Sequence, residues 1–109
     1  MKKFKLTSES IINLSGRTLY RIKACTTFTT VSGREIKAGD FGGFVEKESN
    51  LSHAGKAWVS DNAKVSGNAE VHGNAEVYGN AWVHDNAKVY GNAKVYGDAW
   101  VSGNAKVLS

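Results

Sequence analysis

From residue 57 onward, small apolar and polar positions alternate with a period of six. Ala stands at 57, 63, 69, 75, 81, 87, 93, 99 and 105, and Val follows two residues later at 59, 65, 71, 77, 83, 89, 95, 101 and 107. After each Val come Ser, His or Tyr, then Gly or Asp, then Asn or Asp. A fixed repeat outranks local propensity in deciding a fold. Apolar spacings of two and four do not fit a helix, which needs three and four. Residues two apart share one face of a strand, so Ala and Val point one way and the residue between them the other. Gly, Asn and Asp accept positive φ cheaply, so the chain can turn sharply after each strand. Identical short hairpins would have no facing layer to bury against. A chain that coils instead stacks strand on strand and encloses a column of Ala and Val.

The run AWVSDN AKVSGN AEVHGN AEVYGN AWVHDN AKVYGN AKVYGD AWVSGN AKV resembles the hexapeptide repeat of left-handed parallel β-helices. An aliphatic residue (Val) is followed four residues later by a small one (Ala), with Gly, Asp and Asn at the corners. The corner Gly stands one place later than in the commonest form of that repeat. The resemblance implies a triangular coil of about 18 residues. The expected fold is all-β: a left-handed parallel β-helix of about three triangular coils in residues 45–109, capped by a small antiparallel β-meander in residues 1–44. The segment from LYRIKA through KAGDFGGFVEKESNLSHAG is also similar to the opening of small hexapeptide-repeat proteins of phage and bacterial genomes.

Coiling places residues 18 apart above one another, which sorts the outward positions into three columns. These are Trp58, Glu76, Lys94; then Lys64, Trp82, Trp100; then Glu70, Lys88, Lys106. Exposed pairs are expected at Glu76–Lys94 and Glu70–Lys88, each worth ~0–1 kcal/mol. The second column puts Trp82 over Trp100, with Tyr78 over Tyr96 and His84 at nearby corners. Contiguous aromatic surface marks an interface or a ligand site. The family resembled generally forms trimers on such a face, which implies Trp82, Trp100 and His84 between subunits. The Ala and Val core is thin, and burial between subunits would add what it lacks. A last coil open at Leu108-Ser109 suggests a dimer of trimers.

The amino-terminal part reads as strands at Lys3–Leu6, Ile11–Leu14, Arg17–Cys25 and Phe28–Val31, with turns at Ser15-Gly16 and Ser32-Gly33. Gly42-Gly43 is expected to allow a tight bend into the coils. Val45 and Leu51 fall in the Ala register, while His53 breaks the pattern by taking a Val position. Alternation puts Tyr20, Ile22 and Ala24 on one face of the third strand, and Arg17, Leu19, Arg21 and Lys23 on the other. The cations would then form a basic stripe with ~7 Å between i and i+2. Such a stripe is either an anion site or a solvated face.

Charge sharpens that picture. Residues 1–40 hold eight Lys/Arg against three acids, a net of +5, and residues 41–109 hold six Lys against seven acids, a net of −1. The excess that could attract an anion therefore belongs to the amino-terminal part. The single cysteine, Cys25, forms no internal disulfide; a buried strand position and a reducing cytoplasm are expected. No apolar run approaches the ~20 residues of a membrane span, and no secretory signal is evident.

No catalytic residue, metal or cofactor is expected. The superfamily resembled includes acyltransferases that use a His and zinc carbonic anhydrases that use three. His53, His72 and His84 are the candidates here, but His72 and His84 lie 12 apart and so on different corners. The leading expectation is a non-enzymatic oligomer that holds a small anionic, nucleotide-type ligand in clefts between subunits. Arg17, Arg21 and Lys23 would take phosphate, and Trp58, Tyr78 and Tyr96, with Trp82, would stack on the base. If the phage similarity is informative, sequestering a host nucleotide signal is its concrete form. A structural or protein-interaction module comes second, and a hexapeptide-repeat acyltransferase third. Nucleic acid is not expected, because no recognition helix is present and the basic excess is modest.

Overall fold

The computed structural model describes residues 2–13 and 16–108; Met1, Leu14, Ser15 and Ser109, on which parts of the expected amino-terminal strand, first turn and last coil fall, lie outside them. The repeat region is a parallel β-solenoid. Its strands are β6 (Trp58–Val59), β7 (Lys64–Val65), β8 (Glu70–Val71), β9 (Glu76–Val77), β10 (Trp82–Val83), β11 (Lys88–Tyr90), β12 (Lys94–Val95), β13 (Trp100–Val101) and β14 (Lys106–Leu108). They pair in parallel with the strand one coil away, in the ladders β7-β10-β13, β8-β11-β14 and β6-β9-β12. The rival hairpin arrangement is thereby excluded.

The corners explain the repeat. Backbone φ is positive at Asp61 (58°), Gly67 (65°), Asp85 (62°) and Gly103 (63°), which lets two residues turn the chain from one side to the next. Inside, Ala57 to Ala93 and Val59 to Val95 are buried at every repeat. Outside, Asn side chains stack along two corners, Asn68 Nδ2 donating to Asn86 Oδ1 at 3.3 Å and Asn74 Nδ2 to Asn92 Oδ1 at 3.2 Å.

The amino-terminal strands are β1 (Phe4–Ile12), β2 (Thr18–Ala24), β3 (Phe28–Thr29), β4 (Glu35–Ile36) and β5 (Phe41–Val45). β3 and β4 form a two-stranded sheet of their own, but β1, β2 and β5 are not separate from the solenoid. β5 pairs antiparallel with β2 and parallel with β7, so one side of the solenoid continues into a mixed sheet ordered β1-β2-β5-β7-β10-β13. The expected boundary between residues 44 and 45 thus falls inside a strand common to both parts. Leu51 bridges to Val71, so coiling begins before the regular repeat, and the solenoid has about four turns rather than about three.

Gly42 and Gly43 lie in β5 and make no tight bend. A β-carbon on Gly42 would stand 2.6 Å from Val59 O, and one on Gly43 2.7 Å from Ala63 O. The strand presses flat on the first coil, and only glycine leaves room for that approach. His53 closes the same end: it stacks on Phe4 at 4.3 Å, and its Nδ1 accepts the Lys3 N–H at 3.1 Å. Asn50 is fully buried beside it, donating to Gly67 O and Ala69 O and accepting from the backbone of Glu46 and Lys47.

The first outward column is not outward. The β3–β4 hairpin lies over it, so Trp58 and Glu76 are fully buried. Phe28 meets Trp58 edge-on at 5.3 Å, and Glu76 accepts the Ser32 N–H at 3.2 Å instead of pairing with Lys94. Ion pairs among the described residues tie the cap down instead, as at Arg17–Glu46 and Arg34–Asp61, and Glu70–Lys88 is not among them. Cys25, expected on a buried strand position, is exposed just past β2.

Candidate functional site

The β1–β2 hairpin brings Ile12, Asn13 and Arg17 to the solenoid side that carries Lys64, Trp82 and Trp100. It does so because β2 is anchored to β5 through Tyr20 and Val45, while Arg17, just before β2, lies beyond that pairing. Arg17 Nη1 meets both oxygens of Glu46, at 3.1 and 2.9 Å. Glu46 in turn accepts the Gly67 N–H at the first corner, at 2.6 Å.

Two grooves open beside these residues. The larger, about 680 Å3, runs along the corner of Ser66, Asp85 and the stacked Asn68, Asn86 and Asn104. Arg17, Trp82 and His84 also line it. The smaller, about 280 Å3, lies on the flat side between Ile12 and Asn13 of the hairpin and Lys64, Asn80, Trp82 and Trp100. Trp82 is the wall common to both. Its ring is held by an Nε1–H bond to Ser66 Oγ at 3.2 Å, by His84 at 4.2 Å and by Trp100 edge-on at 4.7 Å.

The two tryptophans differ in exposure. Trp82 is 9% exposed, covered by its own chain, whereas Trp100 is 61% exposed with its outer side open. His84 Nδ1 lies 3.4 Å from Asp85 Oδ1, and its Nε2 is buried with no hydrogen-bond partner among the described residues. Asp85 also accepts the Gly103 N–H at 3.0 Å, and that bond, with His84 adding to it, holds its carboxyl below the usual range.

The basic stripe does not form as one surface. The register shifts, between Leu6 and Ser10 in β1 and opposite Arg21 and Lys23 in β5, lie in the neighbouring strands and leave the alternation of β2 intact; separate contacts divide its cations instead. Leu19 is fully buried. Arg21 lies over the Phe44 ring at 4.3 Å, donating to Glu9 and to Gly42 O. Lys23 lies over Phe41 at 5.6 Å. Arg17 alone of the three reaches the grooves. Trp58, buried under the hairpin, offers no face for stacking. Tyr78 and Tyr96 do stack, 5.4 Å apart and 13° from parallel, at another corner, where Arg34 sits 5.7 Å above Tyr78. Burial raises the Tyr78 hydroxyl, with nearby Glu76 adding to the effect.

Sequence reasoning passed over Lys64 and Asn80. Lys64 was placed in the correct column, but nothing local marks it as the cation left over. Among the described residues no carboxylate pairs with it, and its ammonium donates only to Asn62 O at 3.3 Å. The three histidines stand apart: His53 at the coil end, His84 at the groove, and His72 stacked on Tyr90 at 5.2 Å. No cluster of three metal-ligating side chains occurs among the described residues, and no helix there is long and apolar enough to cross a membrane.

Comparison with curated proteins gave no match. The family model of the YdcK beta solenoid repeat matches residues 87–103, which is just short of one coil. Those residues run from Ala87 of one side to the Trp100 strand and its following corner. The chain is thus similar, over that coil, to a β-solenoid repeat family.

Proposed function

We propose that this protein is a non-enzymatic binding module for a small anionic, nucleotide-type ligand, held at the Trp82 grooves. The observation that carries this reading is the convergence of Arg17, Lys64, Trp100 and His84 on two grooves that have Trp82 as their common wall. A cation beside an open aromatic face suits a phosphate next to a base. Arg17 spends only Nη1 on Glu46, so its remaining N–H groups stay free to donate. The phosphate role moves from Arg21 and Lys23 to Lys64, and the stacking role from Trp58 to Trp100. The left-handed sense of the coil, the hexapeptide ancestry, a cytoplasmic setting and a phage source that sequesters a host nucleotide signal belong to the same reading.

Calorimetry with AMP, GMP, UMP and their cyclic forms tests it. Heat of binding that is reduced in Trp100→Ala supports the reading, and no heat with any of them from the wild type ends it.

A second reading is favoured by Trp100 and Tyr96, each more than half exposed. That surface would pack against further copies of the chain, as a homotrimer or a dimer of trimers, with ligand clefts between subunits. Sedimentation of the wild type and of Trp100→Glu separates the two: an oligomer that dissociates in the variant selects the second.

A further inference from the structure

The geometry points to a ligand with two heteroaromatic rings joined through phosphate, a dinucleotide, lying across Trp82 with one ring in each groove. This rests on the nucleotide reading above and specifies its ligand.

The two grooves carry the same set of parts. The smaller has a cation (Lys64), a carboxamide (Asn80) and an open ring (Trp100). The larger has a cation (Arg17), carboxamides (Asn86 and its stacked neighbours) and a ring (His84). Ligand pockets run from ~300 to ~1,000 Å3, so 280 Å3 suits about one nucleoside, while 680 Å3 leaves room for another with its sugar. One mononucleotide would leave the second groove empty.

Trp82 makes the division rigid. Its Nε1 is fixed to Ser66, and its ring is packed on His84 and Trp100, so it does not swing aside to merge the grooves. A ligand that fills both must bend over its edge. A phosphodiester link is flexible enough for that, and its charge would lie between Lys64 and Arg17.

Hydrogen bonding differs between the ends. Asn80 makes no side-chain hydrogen bond among the described residues, so its carboxamide is free for a base edge. In the larger groove the Asn carboxamides are partly used on each other, Asn68 to Asn86 at 3.3 Å and Asn86 to Asn104 at 3.4 Å. Asn68, whose Oδ1 also accepts from Lys47 Nζ at 2.9 Å, and Asn86 each retain one N–H and one lone pair for a ribose or base, and Asn104 retains both N–H groups among the described residues.

Linking two binding events raises avidity by ~100- to ~10,000-fold over either alone. Calorimetry with AMP, the linear dinucleotide ApA bearing a 5′-phosphate, and cyclic di-AMP gives the test. Two AMP per chain are expected, but one dinucleotide per chain, at least one of the two dinucleotides binding about 100-fold more tightly. Lys64→Gln and Trp100→Ala, both at exposed or half-buried positions, are expected to reduce dinucleotide affinity to that of AMP and to leave one AMP site. One AMP per chain with no gain for either dinucleotide overturns the inference and leaves the nucleotide reading standing. No binding of any of the three, when the wider nucleotide panel is silent too, removes both.

Discussion

Gly42 lies against the buried ring of Trp58: a β-carbon built on it would stand 2.8 Å from Cζ2 of that indole. The same atom would be 2.6 Å from Ile22 Cγ1 and 2.6 Å from Val59 O. Two of these neighbours are side chains in a closed core, and the third is backbone. Gly42→Ala is therefore expected to cost about 3 kcal/mol, at the upper end of overpacking penalties, which exceeds the ~0.4–1 kcal/mol that Ala gains from a stiffer unfolded chain. Urea denaturation of the variant checks this. A loss under ~1 kcal/mol would mean that β5 can lift from the first coil.

Asn50 holds the start of the solenoid through four backbone bonds. Its Oδ1 accepts from Glu46 and Lys47 at 3.0 and 2.8 Å, and its Nδ2 donates to Gly67 O and Ala69 O at 3.2 and 2.8 Å. Asn50→Ala is expected to cost about 2–4 kcal/mol, because buried donors and acceptors lose their partner. Asn50→Asp should cost at least as much at neutral pH, since it turns a carboxylate oxygen toward two carbonyls. Unfolding midpoints of both variants, compared at neutral and mildly acidic pH, test the order: the Asp variant should recover as it protonates.

Asp85 holds the corner with its backbone at φ 62° and its carboxylate on the Gly103 N–H. Asp85→Gly removes the left-handed strain and the acceptor together, whereas Asp85→Ala removes only the acceptor. The Ala variant should therefore be the less stable of the two. The carboxyl is held below its ordinary value, so its contribution is fully present above the unfolded pKa of ~3.9 and is lost as pH falls through the folded one. Acid unfolding below about pH 4 should be shallower in both variants than in the wild type. Equal acid profiles would show that the corner bond is not made in solution.

Lys3 gives the opposite pH response. It is buried at the coil end, donating to Ala57 O and Gly55 O with the Phe28 ring 5.4 Å away, and burial lowers its pKa to about 8. Between about 8 and the unfolded value of ~10.4, the unfolded chain binds more protons than the folded one. Stability contributed by this site must rise with pH across that window. Lys3→Met, which keeps the stem on Phe28 but cannot titrate, should lose the rise. Chemical denaturation at about pH 7 and about pH 9.5 measures it, and an unchanged slope in the variant would assign the effect elsewhere.

Much of the solenoid was legible because its cause is local. Every six residues the same Ala and Val meet the same corner, so the side each residue faces and its neighbour one coil away follow from counting. Trp82 over Trp100 and Tyr78 over Tyr96 are found where that count puts them. The extra turn was half legible: counting back by six puts Val45 and Leu51 in the Ala register, but they pair with Val65 and Val71 and so take Val positions, two residues off that count.

The sequence alone determined the coiling, the core and the columns, since a six-residue period leaves the backbone no other way to bury Ala and Val. Tertiary structure decided which columns meet water. Trp58 and Trp100 occupy equivalent places in their repeats, yet the first is sealed beneath Phe28 and the second stands 61% exposed. That difference comes from where the β3–β4 and β1–β2 hairpins land, a long-range packing choice with no periodic signal. Long-range contacts likewise divided the expected basic stripe: Arg17 meets Glu46, and Arg21 and Lys23 lie over Phe44 and Phe41 of β5, pairings between distant residues that no local pattern marks.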